Sequence, residues 1–175
     1  MRIIYIDIDT LRADHLGCGG YHRNTSPNID TVASEGINFR NVYASDVPCL
    51  PSRTALITGM FGIRNGVINH GGRAADLQPE GKDRGFFGRF SMRSWASVFY
   101  LAGWHTASIS SFPFRHGASW WNSGFMESMN LMRGFGGERA DQVIPGALDW
   151  LERRGKADDW FLHVHLWDPH TPYRT

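Results

Sequence analysis

Residues 2–9 read Arg-Ile-Ile-Tyr-Ile-Asp-Ile-Asp, an apolar run that turns acidic at its end. Such a run predicts a buried strand of a parallel sheet over Arg2–Asp9, with carboxylates at its carboxyl end. Ile37–Tyr43, Trp104–Ser110 and Trp160–Trp167 predict three more strands. Between them the apolar spacing lengthens to that of helices. Ser26-Pro27 opens a helix that runs to about Ser34 and stops at Gly36, with Ile29, Val32 and Ala33 as its apolar face. Further helices are predicted over Thr54–Gly59, over Ser94–Ala102 with a stop at Gly103, and over Glu138–Arg154 with Pro145 inside. Arg64–Phe90 reads as a long Gly- and charge-rich loop, and Gly117–Gly137 as an irregular Gly- and Trp-rich stretch. Strands that alternate with helices predict an α/β fold, a mostly parallel central sheet flanked by helices. Ligands of such sheets bind beyond the carboxyl ends of the strands, where Asp9 and His170 fall. The chain stops just after a strand and a turn, with no helix returning over the sheet. Residues 1–175 are therefore expected to be the N-terminal part of a longer domain.

Composition narrows the picture further. Hydrophobic residues at 42% and charged residues at 20% fit a globular chain rather than a disordered one. The net charge of +1 gives no reason to expect a nucleic-acid partner. No stretch is long enough to span a membrane, and Met1-Arg2 leads straight into a strand pattern with no secretory leader in view. Cys18 and Cys49 do not make a disulfide framework. Together these point to a reducing, cytoplasmic setting. Seven Trp and eleven Phe would suit either a core or a sugar-binding cleft.

The chemistry concentrates at Cys49-Leu50-Pro51-Ser52-Arg53, where a thiol stands just ahead of a predicted helix start. A helix N-terminus presents free N–H groups and the positive end of the dipole, and Arg53 adds a bidentate donor. That combination suits a nucleophile attacking an anionic, tetrahedral centre. The same five residues match the Cys-x-Pro-Ser-Arg signature of the sulfatases. Asp9-Thr10-Leu11-Arg12-Ala13-Asp14-His15-Leu16-Gly17-Cys18 resembles that family's first metal motif. Thr25-Ser26-Pro27-Asn28-Ile29-Asp30 resembles the helix start that follows it, and Asp168-Pro169-His170-Thr171-Pro172-Tyr173 a later family segment. The matches occur in the family's order and cover nearly the whole chain, so the sequence is identified as resembling the N-terminal part of a formylglycine-dependent sulfatase of the alkaline-phosphatase-like superfamily.

The resemblance implies roles for particular residues. Asp9 matches the first metal carboxylate of a site that holds Ca²⁺, with Mg²⁺ the other hard cation of the same kind. A second Asp often follows in the family; here that position is Thr10, and Asp7, on the same strand face as Asp9, is a candidate to supply the charge. An equal reading makes Asp7 a buried carboxylate satisfied by backbone N–H groups. Cys49, converted by a separate formylglycine-generating enzyme, would be nucleophile and metal ligand together. Arg53 would orient it and stabilise its charge. His170 matches the family His that contacts the sulfate; otherwise it is a turn His. The family's Gly-Lys-x-His segment is replaced by Ser111-Phe112-Pro113-Phe114-Arg115-His116-Gly117, in which Arg115 and His116 are candidates for the Lys and His roles, against an equally weighted reading as an exposed loop pair. His70, in Asn69-His70-Gly71-Gly72, could line the cleft, although a lone loop His is more often a solvated one; His163 and His165 read as sheet-packing residues, and Asp14 and His15 as turn residues.

Function follows from these roles. The resemblance implies hydrolysis of a sulfate ester or sulfamate, of a small molecule or a carbohydrate. A diol oxygen attacks sulfur, the alcohol leaves, and loss of the second diol proton regenerates the aldehyde, an exit closed to a plain Ser or Cys ester. Two alternatives remain open: a phosphonate monoester or phosphodiester hydrolase sharing these motifs, and a non-catalytic sulfatase-like protein. The family's remaining metal ligands lie further along than Thr175, so these residues alone are expected to bind Ca²⁺ weakly and turn over little.

Overall fold

The computed structural model describes residues 1–78, 94–131 and 136–173. The chain divides into two compact units, Met1–Asp9 with Ser45–Thr175, and Thr10–Ala44.

The larger unit is built on a four-stranded, all-parallel sheet of β1 (Arg2–Ile8), β2 (His105–Ile109), β3 (Glu127–Met129) and β4 (Trp160–Leu166), in the order β1-β4-β2-β3. The predicted fold class is observed, and three of the predicted strands form within two residues of their expected ends. β4 lies in the middle and is buried along nearly its whole length, as a continuous apolar run should be. Its register with β1 sets Tyr5 opposite His163 and Asp7 opposite His165, and its register with β2 sets Ser108 opposite His163.

That register gives the sheet two unlike faces. Ala107, Ile109, Trp160, Leu162 and Val164 pack with Val143, Ala147 and Trp150 in one apolar core. The last three come from α6 (Ala140–Arg154), the predicted helix, with Pro145 in its interior. The opposite face carries Tyr5, Asp7 and Asp9, then Ser108, then His163, His165 and Trp167. A second core lies on that side, with Leu50 and Ile57 of α2 (Cys49–Thr58) packed with Phe112, Trp121 and Trp167. Short helices α3 (Gly62–Asn65) and α5 (Phe112–Arg115) and the longer α4 (Trp95–Leu101) complete the unit. Among the described residues no helix is long and apolar enough to cross a membrane.

Several expectations are corrected. The helix expected from Thr54 begins at Cys49, five residues earlier. Pro51 does not prevent this, because first-turn N–H groups have no partner inside a helix. Its far end is as predicted: Gly59 takes the left-handed conformation (φ 66°) and donates its N–H to Ala55 O. β3 lies inside the stretch expected to be irregular; three residues are too few to show a period. Trp120 and Trp121 of that stretch form a single 3₁₀ turn, Ser119–Asn122. Residues 79–93, within the predicted long loop, and 132–135 lie outside the described residues.

In the smaller unit, the helix α1 (Pro27–Glu35) forms as expected, flanked by Ser26 and Gly36. The Ser26 hydroxyl does not cap it; it donates to Asp30 Oδ1 and accepts from the Gly17 N–H. The predicted apolar face stays uncovered, with Val32 71% exposed. No strand forms over residues 37–43, where Ile37 and Tyr43 are exposed. A β-branched and aromatic run makes a strand only where a neighbour takes its N–H and C=O groups. Asp14 and His15 do serve the local turn, with Asp14 accepting from Arg12 and lying 3.1 Å from His15 Nδ1.

Candidate active site

The site assembles at the carboxyl end of β1, around Arg53. α2 places Cys49 in its first turn and Arg53 one turn on, so the two project from the same end of the helix. Arg53 meets Asp7 through two parallel hydrogen bonds, Nε to Oδ2 and Nη2 to Oδ1, the second 2.9 Å long. Its remaining nitrogen, Nη1, lies 3.0 Å from Asp9 Oδ2. Asp9 is buried, 3% exposed, and the Arg53 and Asp7 side chains are partly buried, 11% and 13% exposed. The guanidinium also lies over the Phe112 ring, 4.8 Å from its centroid.

Two carboxylates out of water are tolerable only with a compensating cation that fits them, and a planar fork fits both at once. Burial alone would weaken the charge on Arg53, but the Asp7 hydrogen bonds and the Asp7 and Asp9 charges outweigh it and raise its pKa. Arg53 therefore stays charged under all ordinary conditions. Asp7 thus has a partner that neither expectation named: both of its oxygens face Arg53 rather than backbone amides.

Cys49 faces two histidines. Its Sγ lies 3.0 Å from His70 Nε2, and a ligand-type atom from each of Cys49, His70 and His116 lies within 4.8 Å of the others. The two imidazole rings sit 4.7 Å apart. Burial, then the nearby Asp9 charge, raises the Cys49 thiol pKa, so the thiol rests protonated. Burial and then His70 press His116 down to about 4. Burial and Arg115 lower His70 as well. Both rings are therefore neutral near pH 7.

α5 brings His116 to this place. The Ser111–Gly117 segment turns once, so His116 returns over the Phe112 ring at 4.5 Å. Arg115 stacks on Trp167, 4.8 Å from its ring, and Gly136 closes against that pair, where a Cβ would fall 2.7 Å from the Arg115 Cδ. His170 is more peripheral: its Nδ1 lies 2.7 Å from the Thr171 carbonyl, and its ring stands 5.6 Å from Trp167. Asp168 of the same segment accepts the Ala140 N–H and so fixes the start of α6.

Of the residues expected at the site, Asp7, Asp9 and Arg53 form one connected group and Cys49 and His116 another, with Arg115 and His170 set around Trp167. For His70 the sequence favours a solvated loop residue over a cleft-lining one. Only the fold brings it to Cys49, twenty-one positions away. His163 and His165 lie inside the sheet face as packing residues, 2% and 1% exposed.

As hard oxygen donors, Asp9 and Asp7 fit a Ca²⁺-class cation in kind but not in number, since such an ion takes about six to eight oxygens.

The sulfatase family model matches residues 2–175. An uncharacterized sulfatase of Escherichia coli is 24% identical over 197 residues, taking in 97% of this chain and 38% of that protein. An N-acetylgalactosamine-6-O-sulfatase of Bacteroides thetaiotaomicron is 42% identical over 59 residues, 34% of this chain and 12% of the relative. A solved structure, described in complex with its substrate D-glucosamine-2-N,6-O-disulfate, superposes with a TM-score of 0.74 at 22% identity, covering 98% of this chain and 35% of the other. The chain thus spans little more than a third of the length of these proteins.

Proposed function

The chain belongs to the sulfatase family, and from that membership and the geometry above we propose that it is the N-terminal part of a catalytic domain that hydrolyses a sulfate ester or sulfamate. The observation that carries this reading is the joining of Arg53, one helix turn from Cys49, to two carboxylates, the partly buried Asp7 of β1 and the buried Asp9 that follows it. A carbohydrate sulfate is the substrate class favoured, because a structural neighbour is described with a disulfated glucosamine and a relative is named for N-acetylgalactosamine-6-O-sulfate.

Two groups would complete the site. Formylglycine made from Cys49 by a formylglycine-generating enzyme would supply a hydrated aldehyde, an oxygen nucleophile that ends the cycle unchanged. A Ca²⁺-class cation would polarise the sulfate oxygens, with Asp9 its principal holder and Asp7 behind it.

This chain's own side chains do the rest. Arg53 keeps a fixed positive charge beside position 49, where negative charge develops, and Asp7 holds its plane so that little reorganisation is needed. His70 and His116 are neutral and so can accept a proton from a group at position 49 or from the substrate. Arg115, braced on Trp167, and His170 beside the same ring would meet the anionic substrate.

Matched aryl sulfate, phosphate and phosphonate esters, offered to the intact gene product from its own host, test the reading. A higher kcat/KM on the sulfate is expected. Faster turnover of the phosphorus esters would move the assignment to the phosphonate monoester or phosphodiester hydrolases, and no turnover of any would make it a binding protein. Residues 1–175 alone should bind Ca²⁺ weakly by calorimetry, since two carboxylates meet only part of its needs.

A further inference from the structure

Besides the hard carboxylates, the unit holds a second and chemically different donor set. We propose that Cys49, His70 and His116, with the thiol unconverted, form a binding site for a borderline-soft divalent cation of the Zn²⁺ class. One sulfur and two imidazole nitrogens are the donors such ions select, whereas Ca²⁺ and Mg²⁺ prefer oxygen.

The geometry is close to what is required. Tetrahedral Zn²⁺ holds its sulfur and nitrogen ligands about 3.3–3.6 Å from one another. Here the Sγ-to-Nε2 separation of Cys49 and His70 is 3.0 Å, and no separation in the trio exceeds 4.8 Å.

A second observation supports a ligand. His116 Nε2 is shielded from solvent and has no hydrogen-bond partner among the described residues. A buried nitrogen left in that state is costly, and a metal ion would satisfy it. On binding, the thiol releases its proton to solvent and the thiolate carries one of the two positive charges' worth of compensation. Three side chains supply the donors, so a three-ligand site completed by a water is expected rather than a closed four-ligand structural site.

The sulfur that holds this ion is the atom lost when Cys49 becomes formylglycine, so the site belongs to the unconverted chain alone. It does not rest on the sulfatase reading.

The test uses the full chain made in a host that leaves Cys49 as a thiol, with Co²⁺ as the spectroscopic probe and Zn²⁺ in competition. One equivalent should bind, with a thiolate-to-cobalt charge-transfer band and the ligand-field bands of a tetrahedral ion. Cys49→Ser should remove the charge-transfer band, and His70→Ala and His116→Ala should each weaken Zn²⁺ by more than about tenfold. His22→Ala should change nothing. His116 packs on Phe112, so circular dichroism must show each variant folded; His70→Ala, in a more open loop, carries the test if His116→Ala does not fold. Cobalt bound without a sulfur band, or affinity indifferent to Cys49→Ser and His70→Ala, would overturn the proposal as adventitious binding. Neither result depends on whether the native host installs formylglycine, which is read separately from peptide mass.

Discussion

The two faces of β4 are made from alternate residues of one seven-residue strand, yet they have little chemistry in common. Trp160, Leu162 and Val164 point into a hydrophobic core under α6. Phe161, His163 and His165 point the other way, toward Tyr5, Asp7 and the Arg53 fork. The first face is satisfied by close packing. The second carries polar groups that need specific partners, and it has them only in part. His163 Nδ1 lies 2.9 Å from Ser108 Oγ, but its Nε2 and both nitrogens of His165 have no hydrogen-bond partner among the described residues. Buried imidazoles collect on the side where the candidate chemistry lies, while the core under α6 holds the indole nitrogen of Trp150. The sheet thus separates a face that stabilises the fold from one that stores unmet polarity next to a charge cluster.

Breaking each face at its centre should show the contrast most strongly. Trp150→Ala empties the apolar core and should cost about 3–5 kcal/mol in denaturant unfolding. Arg53→Ala should cost a similar amount, about 3–5 kcal/mol, for an electrostatic reason: it strands two buried carboxylates. The two are told apart by a second change. Asp7→Asn made together with Asp9→Asn should recover much of the Arg53→Ala loss and none of the Trp150→Ala loss. Equal behaviour would mean that the faces do not differ in kind.

Acid should weaken the polar face selectively. Burial and then the Arg53 charge hold His163 down to about 3, from an ordinary value of 6.5. The unfolded chain therefore binds more protons than the folded one throughout that window. Stability is full above pH 6.5 and falls as the pH drops toward 3, with His165 and His116 shifted in the same direction. His163→Phe should flatten the decline in a urea-unfolding series across this range. A profile unchanged by the substitution would remove His163 from the explanation.

Ser108→Ala is the mildest test. It leaves His163 Nδ1 without its partner and should cost about 1 kcal/mol.

Much of this arrangement was legible in the chain, and the limits have physical causes. β4 was readable because a buried parallel strand needs an unbroken apolar run, and Trp160–Trp167 supplies one despite its two histidines. Cys49 and Arg53 were readable because they stand together in one five-residue signature, although the helix that carries both was expected to begin only at Thr54. Asp7 and Arg53 are forty-six positions apart, and no local pattern records a bond that depends on how β1 and α2 pack. His70 could be given only the weaker of its two readings for the same reason. Residues 37–43 misled because their alternation is that of a strand, while a strand also needs a partner edge, which local sequence does not encode.

The central claim is that the polar side of the sheet serves a modified nucleophile at Cys49. It is tested most directly by the mass of the tryptic peptide Asn41–Arg53 from protein made in its own host. A peptide ~18 Da lighter than the thiol form is predicted, the signature of formylglycine. An unmodified thiol in protein that nevertheless hydrolyses sulfate esters would contradict the account.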